Sequence, residues 1–261
     1  MGPDAASTKW RHGGPMTQPS LVARLSMLGL TGFAAAILVA GLATPGYSHR
    51  SEAISALGAL DASAPAVMMV GFLSLSVGLL STGYVLARSM RGKAGMAGVV
   101  LVLIAGVTAV GEAFAREDCS NFTAACAARE RAETVSGHHV AHELIGLVMF
   151  VALVVGLFLL ASGLRRTAGQ RTFAVPTRIA AVTAVGLLVW LGTEHYGDNG
   201  GLVQRAFVAV VCGWPVLLAV RLDRAARSAV LDRVLGDGNS VKSLAKWDQS
   251  VDHVQPSHRN T

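Results

Sequence analysis

Residues 137–146 read GHHVAHELIG, three histidines and a glutamate at the start of a long apolar run. Imidazoles bind metals and carry protons near neutral pH. His138 and His142 are four residues apart, so on a helix they share a face and could grip one metal ion, zinc above all. His49 and His195 are candidate further metal ligands. Glu112, Asp118 and Glu143 are candidate catalytic bases for a water activated on such an ion. The same residues also fit a proton-handling site without metal, or a helix cap in which Ser-Gly-His-His is only the polar lip of a membrane helix. An HxxxH pair alone does not choose among these, because its third partner must come from elsewhere in the fold. Haem is not expected, since all candidate axial ligands lie on one side and at most one haem could be served.

A second constellation is GDNGGLVQRAF, residues 197–207. Gly200 and Gly201 suit a tight turn, after which Gln204 and Arg205 begin a helix. Arg205 has a counter-charge in Glu194 across a short hairpin, and the two could fix that hairpin as a buried ion pair. Alternatively Arg205, with Gln204 and Glu194 beside it, binds an anion such as a lipid phosphate or a substrate carboxylate in a pocket opened by a kink at Pro215. Cys119 and Cys126 share the segment EDCSNFTAACAARE, where an oxidising compartment favours a disulfide. Cys212 stands alone in an apolar run and reads as packing.

The elements that must position these groups are membrane helices. Of 261 residues, 52% are hydrophobic and only 15% charged, against about 25% charge in an ordinary soluble globule. Six apolar runs of bilayer-spanning length are present, at about 25–43, 65–87, 94–115, 140–164, 174–193 and 202–220. They are continuously apolar rather than alternating, which excludes a membrane β-barrel. The expected fold is all-α, a six-helix transmembrane bundle. Its N-terminus, the loops near 88–94 and 164–178, and its C-terminal tail together hold 17 of the 22 lysines and arginines. That bias places both termini in the cytoplasm, in a plasma membrane, and makes the net charge of +6 a topological signal rather than a nucleic-acid footprint. The opposite, outer side then carries ten of the sixteen carboxylates and five of the eight histidines. The first run is expected to be retained rather than cleaved as a signal peptide, being longer than a usual signal core. Residues 1–22 read as a disordered cytoplasmic segment and 23–221 as the membrane domain. Residues 222–235 read as an amphipathic cytoplasmic helix or a solvated continuation of the sixth span, and 236–261 as a disordered tail.

YSHRSEAISALGA (47–59), VMMVGFLSLSVGLL (67–80), an acidic segment before a histidine-led helix, and GLVQR (201–205) occur in that order. Together they resemble the bacterial multi-pass membrane family catalogued as domain of unknown function 998. The resemblance implies a membrane protein with no assigned reaction and transfers no catalytic residue. It directs attention to His49, Ser55, His138, His142, Gln204 and Arg205. Two departures stand out: Ala56 where that family often has an acidic residue, and no Asn near Val70 in the second helix.

Three functions compete. The first is an accessory protein that binds lipid, a small ligand or another membrane protein through an outward-facing His/carboxylate/Arg pocket. The second is a metal-dependent hydrolase acting on a lipid or envelope precursor at the outer leaflet. A transporter or ion sensor comes third, because no ionisable residue falls at the midplane of a span. No phosphate-binding glycine loop, nucleophile elbow or CxxC pair suggests a soluble enzyme.

Overall fold

Each of the six apolar runs folds as a helix long and apolar enough to cross a bilayer. The computed structural model describes residues 20–119, 123–167, 169–193 and 198–251, the last twenty of them as backbone only. Helix α1 spans Leu21–Ala43 and is capped by Ser20, whose hydroxyl accepts the Ala23 N–H. Helix α2, Pro65–Ser89, opens with proline, where the missing N–H has no intrahelical partner to lose. Helices α3 (Gly92–Phe114) and α5 (Gly137–Arg166) follow, with the short α4 (Ala124–Arg131) between them. Helix α6 covers Ala174–Thr193 and α7 runs Gly200–Val251. No strand occurs among the described residues.

Residues 19–223 form one compact unit. The helical stretch 224–251 lies outside that unit. Helix α7 is therefore unbroken through 222–235, and it includes 236–251, where the composition alone reads as disorder.

Within the membrane unit α3 packs along α5, α1 along α2, α2 along α3, and α5 along α6. In lipid no hydrophobic force drives one apolar helix onto another, so close van der Waals approach must do so. Glycines provide it. A Cβ on Gly29 would lie 2.4 Å from the Gly78 backbone, and one on Gly163 would lie 2.5 Å from Gly95 Cα. The core is built from Phe33, Phe72, Leu75, Met149, Leu153, Leu157 and Phe207, while Leu42, Val107, Ile179 and Val182 point outward as a lipid-facing surface requires.

Candidate functional site

Helix α5 begins where the polar groups gather. Ser136 caps it, accepting the His139 N–H at 3.3 Å, and is itself held by Asp118, which accepts from the Ser136 amide at 2.6 Å and hydroxyl at 2.7 Å. These bonds hold the Asp118 carboxyl below the usual carboxylate range. Asp118, a candidate base by sequence, is thus occupied in fixing a cap, with Arg129 3.4 Å away.

Two histidines turn inward from this helix start, and they are His139 and His142. His138 is exposed, so the His138/His142 pair does not converge. The inward stripe is legible by counting back from Leu153 through Met149 and Gly146 to 142 and 139, a helical 3–4 spacing that skips 138. Their hydrogen bonds place the two Nδ1 atoms in opposite roles. His139, fully buried, receives the Asp118 backbone N–H on Nδ1 at 3.1 Å. An amide N–H only donates, so the ring proton sits on Nε2, facing Glu130 at 3.4 Å and Glu143 at 3.7 Å. His142 instead places Nδ1 2.7 Å from the Ala115 carbonyl, which only accepts, so Nδ1 carries the proton. Its Nε2 then faces Glu112 Oε2 at 2.9 Å and Glu117 Oε1 at 3.6 Å.

This difference matters for metals. His139 lies within 4.8 Å of Glu130 and Glu143, and likewise of Cys119 and Cys126. Yet its Nδ1 is taken by an N–H and its Nε2 by a proton, and the cysteines are joined to each other as a disulfide. His142 instead turns Nε2 toward two buried carboxyl groups, within hydrogen-bonding distance of Glu112.

Glu112, Glu117 and His142 are all buried and line one end of a cavity of about 340 Å³. Its remaining walls are mostly apolar, drawn from Phe33, Phe72, Leu75, Met149, Phe150 and Val208. Glu143 and Leu147, both exposed, stand at its rim on α5. Glu117 is the residue that sequence reasoning missed, since nothing in ARED distinguishes it from Asp118. Burial pushes its carboxyl up to about 7, against the lowering effect of His142 and of a hydrogen bond with Ser55.

Ser55 belongs to the connection between α1 and α2, which roofs the cavity. On one side Arg116 donates to the Gly58 and Ala59 carbonyls at 2.9 and 2.8 Å, and the Leu60 N–H donates to the Glu117 carbonyl at 2.8 Å. On the other side Arg205 of α7 clasps the same connection. Its Nη1 donates to the carbonyls of Glu52 (2.9 Å) and Gly201 (2.8 Å), and its Nη2 to the Tyr47 hydroxyl and to His49 Nδ1 (3.1 Å). Gln204 Oε1 accepts the Ile54 N–H at 2.7 Å, and the Leu202 N–H donates to the Arg50 carbonyl at 2.9 Å. The approach is so close that a Cβ on Gly201 would lie 2.3 Å from the Glu52 carbonyl oxygen. His49 is therefore in the clasp and away from His142, as a neutral ring whose pKa is lowered by burial and by the Arg205 charge. Burial likewise raises the Tyr47 hydroxyl. Among the described residues Arg205 meets neutral acceptors; Glu194 and His195 lie outside the described residues. Ala56 is buried in the 3-10 turn Ser55–Gly58, and Val70 is 62% exposed, outside the cavity lining.

Residues 27–221 match the family model described as "Protein of unknown function (DUF998)", and the chain belongs to that family. No curated protein and no solved structure matches it.

Proposed function

We propose that this DUF998 member is a membrane-embedded binding protein for a small amphiphile, held with its apolar part in the cavity and its polar head at Glu112, Glu117 and His142. The observation that carries this reading is the cavity itself: about 340 Å³ between spanning helices, apolar along its walls and polar at one end. With both termini cytoplasmic, as the lysine and arginine bias favours, the polar end faces outward and draws its ligand from the outer leaflet. Native mass spectrometry of the detergent-purified chain tests it. A retained small amphiphile is expected, lost when Val208→Trp fills the cavity in a preparation of unchanged monodispersity. If the wild type retains none, and no amphiphile from a varied panel raises its melting midpoint, the reading is wrong.

One observation favours a second reading, a metal-dependent hydrolase. The Ala115 carbonyl fixes the proton on His142 Nδ1 and leaves Nε2 turned to two carboxylates, as the outer hydrogen bond of a metal-ligating histidine commonly does. On this reading Glu112, Glu117 and His142 would hold zinc. Elemental analysis decides: zinc near one per chain, lost in His142→Ala, supports it, and zinc absent even after adding it back removes it.

A further inference from the structure

We infer that the cavity's occupant carries a protonated amine as its head group. The inference rests on the binding reading above and specifies the class of ligand.

The polar end of the cavity is lined by Glu112, Glu117, His142 and, at the rim, Glu143, with no lysine or arginine among the described lining residues. The nearest arginine in sequence, Arg116, is turned to the Gly58 and Ala59 carbonyls. Two buried carboxyl groups, Glu112 and Glu117, thus face one imidazole in surroundings where an uncompensated buried charge is strongly unfavourable. An anionic head would deepen that imbalance. A cation relieves it.

Hydrogen-bond accounting points the same way. The His142 ring is fully committed, with Nδ1 to Ala115 and Nε2 to Glu112 Oε2. The other oxygen, Glu112 Oε1, has no hydrogen-bond partner although the side chain is only 3% exposed. It is a buried acceptor without a donor, on a side chain that lines the cavity. Gly146, one turn along α5 from His142, leaves room beside it: a Cβ there would lie 3.4 Å from Oε1, and Gly146 lines the same cavity. An ammonium offers three donors and one positive charge, which matches an orphaned carboxylate oxygen beside a second carboxylate. A bare metal ion would use the carboxylates but leave the apolar walls of Phe33, Phe72, Phe150 and Val208 without a purpose. An amine on an apolar body uses both.

The test compares octylamine, octanol and octanoate on the full-length chain in a non-ionic detergent, reading melting midpoint and affinity, with zinc and calcium chlorides as further additions. Octylamine is expected to bind about tenfold more tightly than octanol, the margin of a charge-assisted over a neutral hydrogen bond, and octanoate not at all. Glu112→Gln should reduce octylamine to the level of octanol. Gly146→Val, which presses methyl groups toward Glu112 Oε1, should do the same and serves if Glu112→Gln misfolds. Equal binding of all three compounds, a preference for octanoate, or an octylamine advantage that survives both variants overturns the amine while leaving an amphiphile-binding cavity. Stabilisation by a metal chloride instead of octylamine also overturns it. If none of the three compounds binds, the binding reading itself falls.

Discussion

Two polar constellations occupy the same end of this bundle, and they are finished to different degrees. In the clasp, all four terminal N–H groups of Arg205 reach acceptors on the chain and its Nε–H alone is left without one, while Gln204 and Gly201 fasten the same connection. In the cavity, one carboxylate oxygen of Glu112 is left without a donor inside a space large enough to admit a molecule. YSHRSEAISALGA and GLVQR, two of the four features that carry the family resemblance, are the two halves of the clasp, joined by the side chains of Arg205 and Gln204 and by the Leu202 N–H to the Arg50 carbonyl.

The largest effect is expected from breaking the clasp. Arg205→Ala strips four partly buried acceptors of their donor and should destabilise the chain by roughly 2–4 kcal/mol, read as the midpoint of SDS unfolding. Arg205→Lys should recover only part of this, because one ammonium cannot reproduce a fork that serves four acceptors. In whatever fraction stays folded, the preference for octylamine over octanol should persist. If Arg205→Ala abolished that preference and Glu112→Gln did not, the division between the two regions would be the reverse of the one drawn here.

A second effect separates them by pH. Glu117 holds its proton up to about 7 in the fold, against 4.5 for an unperturbed side chain, so between those values the folded chain binds the proton and the unfolded chain does not. Stability should therefore fall as pH rises from about 4.5 to 7, by about 3 kcal/mol, and Glu117→Gln should flatten that slope. The titratable groups facing Glu117 are His142, Glu112 and Glu143, none of which bonds to Arg205, so Arg205→Lys should leave the slope in place. Melting midpoints at pH 5, 6, 7 and 8 would show it.

The smallest effect belongs to the rim. His138→Ala should change stability and octylamine affinity by no more than about 0.5 kcal/mol, as for other exposed positions, whereas His142→Ala should disturb both. Parallel titrations of the two variants distinguish the lip of the helix from its inward stripe.

How much of this could be read beforehand follows from the range over which each signal acts. The six spans were legible because a bilayer imposes a minimum apolar length on any helix that crosses it. Their ends were less so: α5 starts at Gly137, ahead of its apolar run, because Ser136 and Asp118 build a cap from residues that hydropathy counts as loop. Glu112 and His142 stood out as polar residues at the edge of apolar stretches. Their pairing did not, since it depends on how α3 and α5 align along their contact, and no local pattern encodes that register. The choice of His138 over His139 came from the HxxxH spacing, which is blind to where the neighbouring helix lies. Arg205 drew attention for its charge, and Glu194 was its apparent partner. The described residues supply Arg205 with a carbonyl, a phenol and an imidazole from a connection some 150 residues away in sequence, and Glu194 lies outside them.

The roof over the cavity also bears on rates. Because the α1–α2 connection is fastened to α3 through Arg116 and to α7 through Arg205, opening from above would break both sets of bonds at once. The exposed residues of its described lining are Glu143 and Leu147 on α5 and Gly192 on α6, so entry from the side of the bundle is the route that leaves those bonds intact. Exchange would then be governed by how readily a molecule dissolves in the bilayer and slides sideways, and hardly at all by its concentration in water.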